Sequence, residues 1–102
     1  MDIENLRILI NTGKIKWSTH CLERMQERDI SRAEVKRCII DGEIIEDYPD
    51  DFPHPSCLIY CIVDGRKALH VVAGTDGLDV IIITAYVPNT LKFEADLKTR
   101  KK

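Results

Sequence analysis

The chain has 102 residues, 44% hydrophobic and 31% charged, with a formal net charge of −2. That is enough for one small domain with one modest core, and no run is long or apolar enough to span a bilayer. The N-terminus lacks a signal-peptide pattern, so the cytoplasm is the expected compartment, and bulk charge does not announce a nucleic-acid binder.

Asp2 to Thr12 places Ile3, Leu6, Leu9 and Ile10 at helical spacing, and Gly13 ends the run. Lys14 to Trp17 reads as a short extended link. Ser18 is an N-cap for a helix running to Arg28. Ser31-Arg-Ala-Glu34 is a capping-box pattern. It opens a third helix that reaches about Asp41, buries Val35, Cys38 and Ile39, and stops at Gly42.

The period then changes. Glu43 to Tyr48 reads as a short strand, and Pro49 to Pro55, with three prolines, as irregular chain. Ser56 to Val63 is a strand, Asp64-Gly65 a hairpin turn, and Arg66 to Gly74 the next strand. Asp79 to Val87 is the last strand, stopped by Pro88. Leu91 to Leu97 is expected as a final weak helix, followed by a frayed basic tail from about residue 98. Residues 1–102 thus form one α+β domain, with N-terminal helices packed on a four-stranded antiparallel sheet. The helices cover one face of the sheet, which leaves the other for a cleft, a partner or a dimer mate.

Four cysteines, Cys21, Cys38, Cys57 and Cys61, read as reduced, buried small hydrophobes. Cys57 and Cys61 lie four apart on a strand, about 13 Å between Cα atoms. That is too far for two thiolates on one zinc. No metal and no cofactor is expected. Charge is unevenly spread: Lys14 to Arg37 carries seven basic residues against four acidic ones, and Asp41 to Asp51 carries six acids and no base. Such a pattern suits a local anion site, or a partner that covers both regions.

Chemistry concentrates in the second helix. His20, Arg24 and Arg28 follow one another at intervals of four, on a stripe that drifts about 40° per step. Arginines four apart repel, and a phosphate beside them relieves the repulsion. On the sheet, His70, Val72 and Gly74 point to one face. Thr84 and Tyr86 are expected on the same face as Val80 and Ile82. If His70 meets Tyr86 there, the sheet offers an imidazole and a phenol to whatever packs on it. These groups suit metal-free cleavage of RNA: histidines move protons, and arginine forks hold the phosphate. The plainer readings are a core histidine at His70, a packing tyrosine at Tyr86, solvated arginines paired to Glu27 and Asp29, and a capping His20.

The motifs H-C-L-E-R-M-Q-E-R-D-I (His20 to Ile30), G-E-I-I-E-D-Y-P-D-D (Gly42 to Asp51), L-H-V-V (Leu69 to Val72) and I-I-T-A-Y-V-P (Ile82 to Pro88) resemble a family of small prokaryotic proteins that share a domain of unknown function. That family is similar, more distantly, to RelE/barnase-like ribonuclease toxins. The resemblance implies N-terminal helices on an antiparallel sheet, RNA as substrate and a small zinc-finger antitoxin as partner. It points to His20, Arg24, Arg28, His70 and Tyr86 as site positions. Such toxins vary their catalytic residues and are usually basic, whereas this chain is mildly acidic. A non-enzymatic interaction module on the same scaffold, and a binder of a small anionic ligand, are the alternatives.

Overall fold

The computed structural model describes residues 1–102. Three helices, α1 (Ile3–Asn11), α2 (Thr19–Glu27) and α3 (Arg32–Asp41), precede most of a five-stranded sheet. Its strands are β1 (Ile15–Trp17), β2 (Glu43–Tyr48), β3 (Ser56–Val63), β4 (Lys67–Thr75) and β5 (Val80–Tyr86). The spatial order is β1-β5-β4-β3-β2. The α+β class holds, but the four-stranded antiparallel sheet does not. The Lys14–Trp17 stretch is a fifth strand, and it runs parallel to β5 with Ile15 opposite Val80 and Trp17 opposite Ile82. Three alternating residues are too few to mark a strand locally, and their partner lies more than sixty residues away.

Each helix starts where a side chain can take orphan amides. Asp2 accepts from the Glu4 amide, Ser18 Oγ from that of Cys21, and Ser31 Oγ from that of Glu34. Glu34 returns the bond to the Ser31 amide, completing the capping box. Gly42 joins α3 to β2. A Cβ there would stand 2.3 Å from the Cys38 carbonyl oxygen and 2.6 Å from that of Tyr60, so only glycine allows this approach. Arg7 fixes α1 to the same junction by donating to the carbonyls of Ile39 at 3.0 Å and Gly42 at 2.8 Å. Asp64 and Gly65 both take positive φ, as the predicted β3–β4 hairpin requires.

The core lies between the helices and one sheet face. Leu6, Cys21, Met25, Val35, Cys38 and Ile39 pack on Cys57, Ile59, Leu69, Val71, Val80, Ile82 and Ala85. The last three break the expected alternation. A bulge opposite Val72 and Ala73 adds one residue to β5 at Ile83, so Val72 pairs with Thr84 and Ala73 with Ile82. Beyond it every side chain changes face. Thr84 and Tyr86 therefore do not share the face of Val80 and Ile82. They stand on the outer one, where His70 is the direct partner of Tyr86.

The C-terminal residues are not helical. Pro88 to Arg100 forms a strap over the outer face. It folds back on itself, with Glu94 N donating to Thr99 O at 2.7 Å and Lys101 N to Lys92 O at 2.9 Å. Asp96 drives the turn by accepting from the amides of Lys98 and Thr99. Asn89 does the same for Leu91. Such side-chain bonds compete with helix. Phe93 is buried beneath the strap, so the open face predicted for a cleft is partly filled by the chain itself.

Candidate anion site at the end of β5

β1 ends at Trp17, so the far half of β5 has no neighbour on that edge. Arg28, the C-cap residue of α2, occupies the gap. Its guanidinium donates to the Ala85 carbonyl at 2.9 Å and to Thr84 Oγ1 at 3.2 Å. The drift of the helical stripe explains why Arg28 alone gets there. Each step of four turns it about 40° towards the direction of Cys21 and Met25, the buried side of α2. His20 and Arg24, earlier on the stripe, remain exposed. Arg24 pairs with Glu27 at 3.0 Å, and neither His20 nor Arg24 lines any hollow of the molecule.

Arg28 borders a hollow of about 390 Å³ whose other walls are Tyr86, Asn89, Lys92, Phe93 and Arg100. Three cations surround it. Arg100 lies over the Phe93 ring, 4.8 Å from its centroid, and forks onto Glu46 with Nε–Oε2 3.1 Å and Nη2–Oε1 3.0 Å. That pair holds the Glu46 carboxyl below its usual range, and Glu46 also accepts from the Tyr48 hydroxyl. Burial, more than this contact, pushes the Tyr48 phenol up to about 12. Arg28 and Lys92 have no carboxylate partner.

His70 stands behind the hollow, 0% exposed. Its Nε2 lies 2.7 Å from the Leu97 carbonyl and its Nδ1 3.2 Å from the Tyr86 hydroxyl. A carbonyl can only accept, so Nε2 carries the proton and Nδ1 of the neutral ring is an acceptor. Tyr86 must then donate to Nδ1, which leaves its oxygen free to accept. The edge of Phe93 packs against the imidazole at 4.6 Å between centroids. Burial lowers the His70 pKa and raises that of Tyr86, while Arg100 and Arg28 pull the phenol back towards ionisation.

Of the five positions singled out from sequence, the structure thus joins Arg28, His70 and Tyr86, and leaves His20 and Arg24 outside. Asn89, Lys92, Phe93, Arg100 and the supporting Glu46 are not among them, because Leu91 to Leu97 reads as a weak helix and the residues from about 98 as a frayed tail. The available signal is Phe93, an aromatic in a polar stretch, followed by an Asp96 turn. All four cysteines are free and buried, and no three His, Cys, Asp or Glu side chains cluster as a metal site. No helix is long and apolar enough to cross a membrane.

Fold and site together define an α+β protein with a mixed sheet and a cationic hollow at the junction of helix, sheet and strap. The family described as Domain of unknown function (DUF4258) matches residues 17–87, and the chain belongs to it. That span carries Arg28, His70 and Tyr86, while the strap lies beyond it. No curated protein and no solved structure matches the chain.

Proposed function

We propose that the chain binds the phosphate groups of RNA in the hollow at the end of β5 and cleaves the strand there without a metal ion, as a toxin-type endoribonuclease. The observation that carries this reading is the convergence of Arg28, Lys92 and Arg100 on the hollow that Tyr86 also lines, with the Tyr86 hydroxyl bonded to His70. Guanidinium forks match phosphate oxygens and stabilise charge developing on them. A rim of three cations also repels a divalent metal. Similarity to RelE/barnase-like toxins, and a small zinc-finger antitoxin as partner, belong to the same reading.

The chemistry balances as an internal transfer. Tyr86 accepts the proton of a ribose 2′-hydroxyl as its own proton passes to His70 Nδ1. The 2′ oxygen attacks phosphorus, and the bond to the 5′ oxygen breaks. That oxygen leaves with a proton from Lys92 or water. A 2′,3′-cyclic phosphate and a 5′-hydroxyl result. The Leu97 carbonyl steadies the imidazolium. Burial of His70 and the charge of Arg100 oppose this step, and Glu46 favours it together with the Leu97 carbonyl. The test is incubation with RNA in EDTA. Cyclic-phosphate ends should form, and Arg28→Ala and Tyr86→Phe should each slow cleavage about 100-fold. His20→Ala should not. Absence of cleavage by the wild type, or an undiminished rate in Arg28→Ala, would overturn the nuclease reading.

One observation favours a second reading. His70 is sealed beneath Phe93 and the strap, so the hollow can hold an anion without transferring its protons. The chain would then bind RNA, or a smaller phosphate compound, and leave it intact. Binding lost in Arg28→Ala, with no cleavage by the wild type, would select this reading.

A further inference from the structure

A second hollow, of about 280 Å³, opens on the outer face at the opposite end of β4 and β5. Its floor is Gly74, where a Cβ would stand 3.0 Å from the Pro55 carbonyl oxygen and 3.7 Å from Ile83 Cδ1. Any side chain there would fill the space or push the loop away. Ile81 and Ile83 form one wall, with Ile83 turned outward at the bulge. Phe52 and Pro53 form the other.

Phe52 is 95% exposed, which leaves a large aromatic side chain in water with nothing of this chain to cover it. The loop that presents it is held at both ends. The Asp51 amide donates to Tyr48 O at 3.2 Å, and Ser56 Oγ donates to Asp51 Oδ2 at 2.5 Å. The rim is acidic. Asp51 and His54 line the hollow, Asp50 lies on the same loop, and Asp76 and Asp79 lie on the turn between Gly74 and Ile81. The nearby cation, Lys16, is already paired to Asp76 at 3.3 Å and Asp79 at 3.4 Å. Such a rim repels phosphate, so this is not an extension of the RNA site.

We infer that the hollow between the Asp50–Pro55 loop and β5 docks a segment of a partner protein that carries one bulky apolar side chain flanked by lysines or arginines. The apolar anchor fills the space over Gly74 and covers Phe52, and the flanking cations meet Asp50 and Asp51 of the loop. This goes beyond the RNA reading and does not depend on it.

The probe is a short synthetic peptide with one leucine between lysines, titrated into the isotope-labelled protein, with a peptide bearing aspartates in place of the lysines as control. Resonances of Phe52, Gly74, Ile81 and Ile83 should move with the lysine peptide. Its affinity should fall at least about tenfold with the aspartate peptide, in Ile83→Asp, and in Phe52→Ser, whose exposed site leaves the fold intact. Shifts elsewhere, or equal binding of the two peptides, would overturn the inference. So would a wild-type dimer in sedimentation that Ile83→Asp dissociates, which would assign this face to a second copy.

Discussion

Replacing His70 with leucine removes the pin that fastens the strap to the sheet while keeping most of the volume. The imidazole has no exposed surface and satisfies two groups, the Leu97 carbonyl and the Tyr86 hydroxyl. Each neutral hydrogen bond contributes about 0.5–1.5 kcal/mol net, and a buried carbonyl left unpaired costs about 1–3 kcal/mol. Tyr86 lines the hollow and its bond to His70 is only part-buried, so its share is small. Loss of the edge contact with Phe93 adds about 0.5–1.5 kcal/mol, and the apolar burial of leucine offsets part of the total. The expected destabilisation is about 2–3 kcal/mol, a fall in Tm of roughly 10–20 °C for a chain this size. Calorimetry or circular dichroism reads it, with His20→Leu, at an exposed site, as a control expected within about 0.5 kcal/mol of wild type. The pH dependence supplies a second signature. Burial holds the folded His70 pKa below that of the unfolded imidazole, about 6.5. Below that pH the unfolded chain takes up a proton that the folded chain does not. Stability contributed by neutral His70 is therefore complete above about pH 6.5 and is lost as pH falls through the lower folded value. His70→Leu should lack that component. A Tm within about 3 °C of wild type, together with an unchanged pH profile, would refute this account of the strap.

Ser31→Ala breaks the capping box of α3, whose Oγ–N distance is 3.1 Å. It should cost about 1 kcal/mol, read as a drop of roughly 4–8 °C in Tm. The four thiols should resist a thiol-directed reagent in the folded protein and react together on unfolding, at least about 100-fold faster. All four are buried, and burial pushes Cys57 up to about 11 and raises Cys21. Fast reaction of any one in native buffer would show that its part of the core opens.

Local patterns in the sequence were enough to place the helices and the four long strands. Caps, periodicity and the Asp64-Gly65 turn act between near neighbours, and each appears in the structure where the pattern puts it. Features set by distant partners were not legible. β1 is a strand only because β5 lies beside it. The bulge at Ile83 leaves no local mark, yet it decides which face Tyr86 joins. The His70–Tyr86 pairing is visible only once register is known. Four of the six residues lining the hollow come from a strap that reads as a weak helix and a frayed tail, and which is held by Phe93 packing and the Glu46–Arg100 pair. The helical stripe drew attention to Arg28, which lines the hollow. It also drew in His20 and Arg24, because equal spacing in sequence conceals the angular drift that separates them in space.

The most direct measurement of the site itself is a titration of the labelled protein with a short single-stranded RNA, following backbone amides and arginine Nε resonances. The account predicts that perturbations cluster at Arg28, Tyr86, Asn89, Lys92 and Arg100, weaken as salt is raised, and vanish in Arg28→Ala. Perturbations centred on His20 and Arg24, with the strap unmoved, would contradict it.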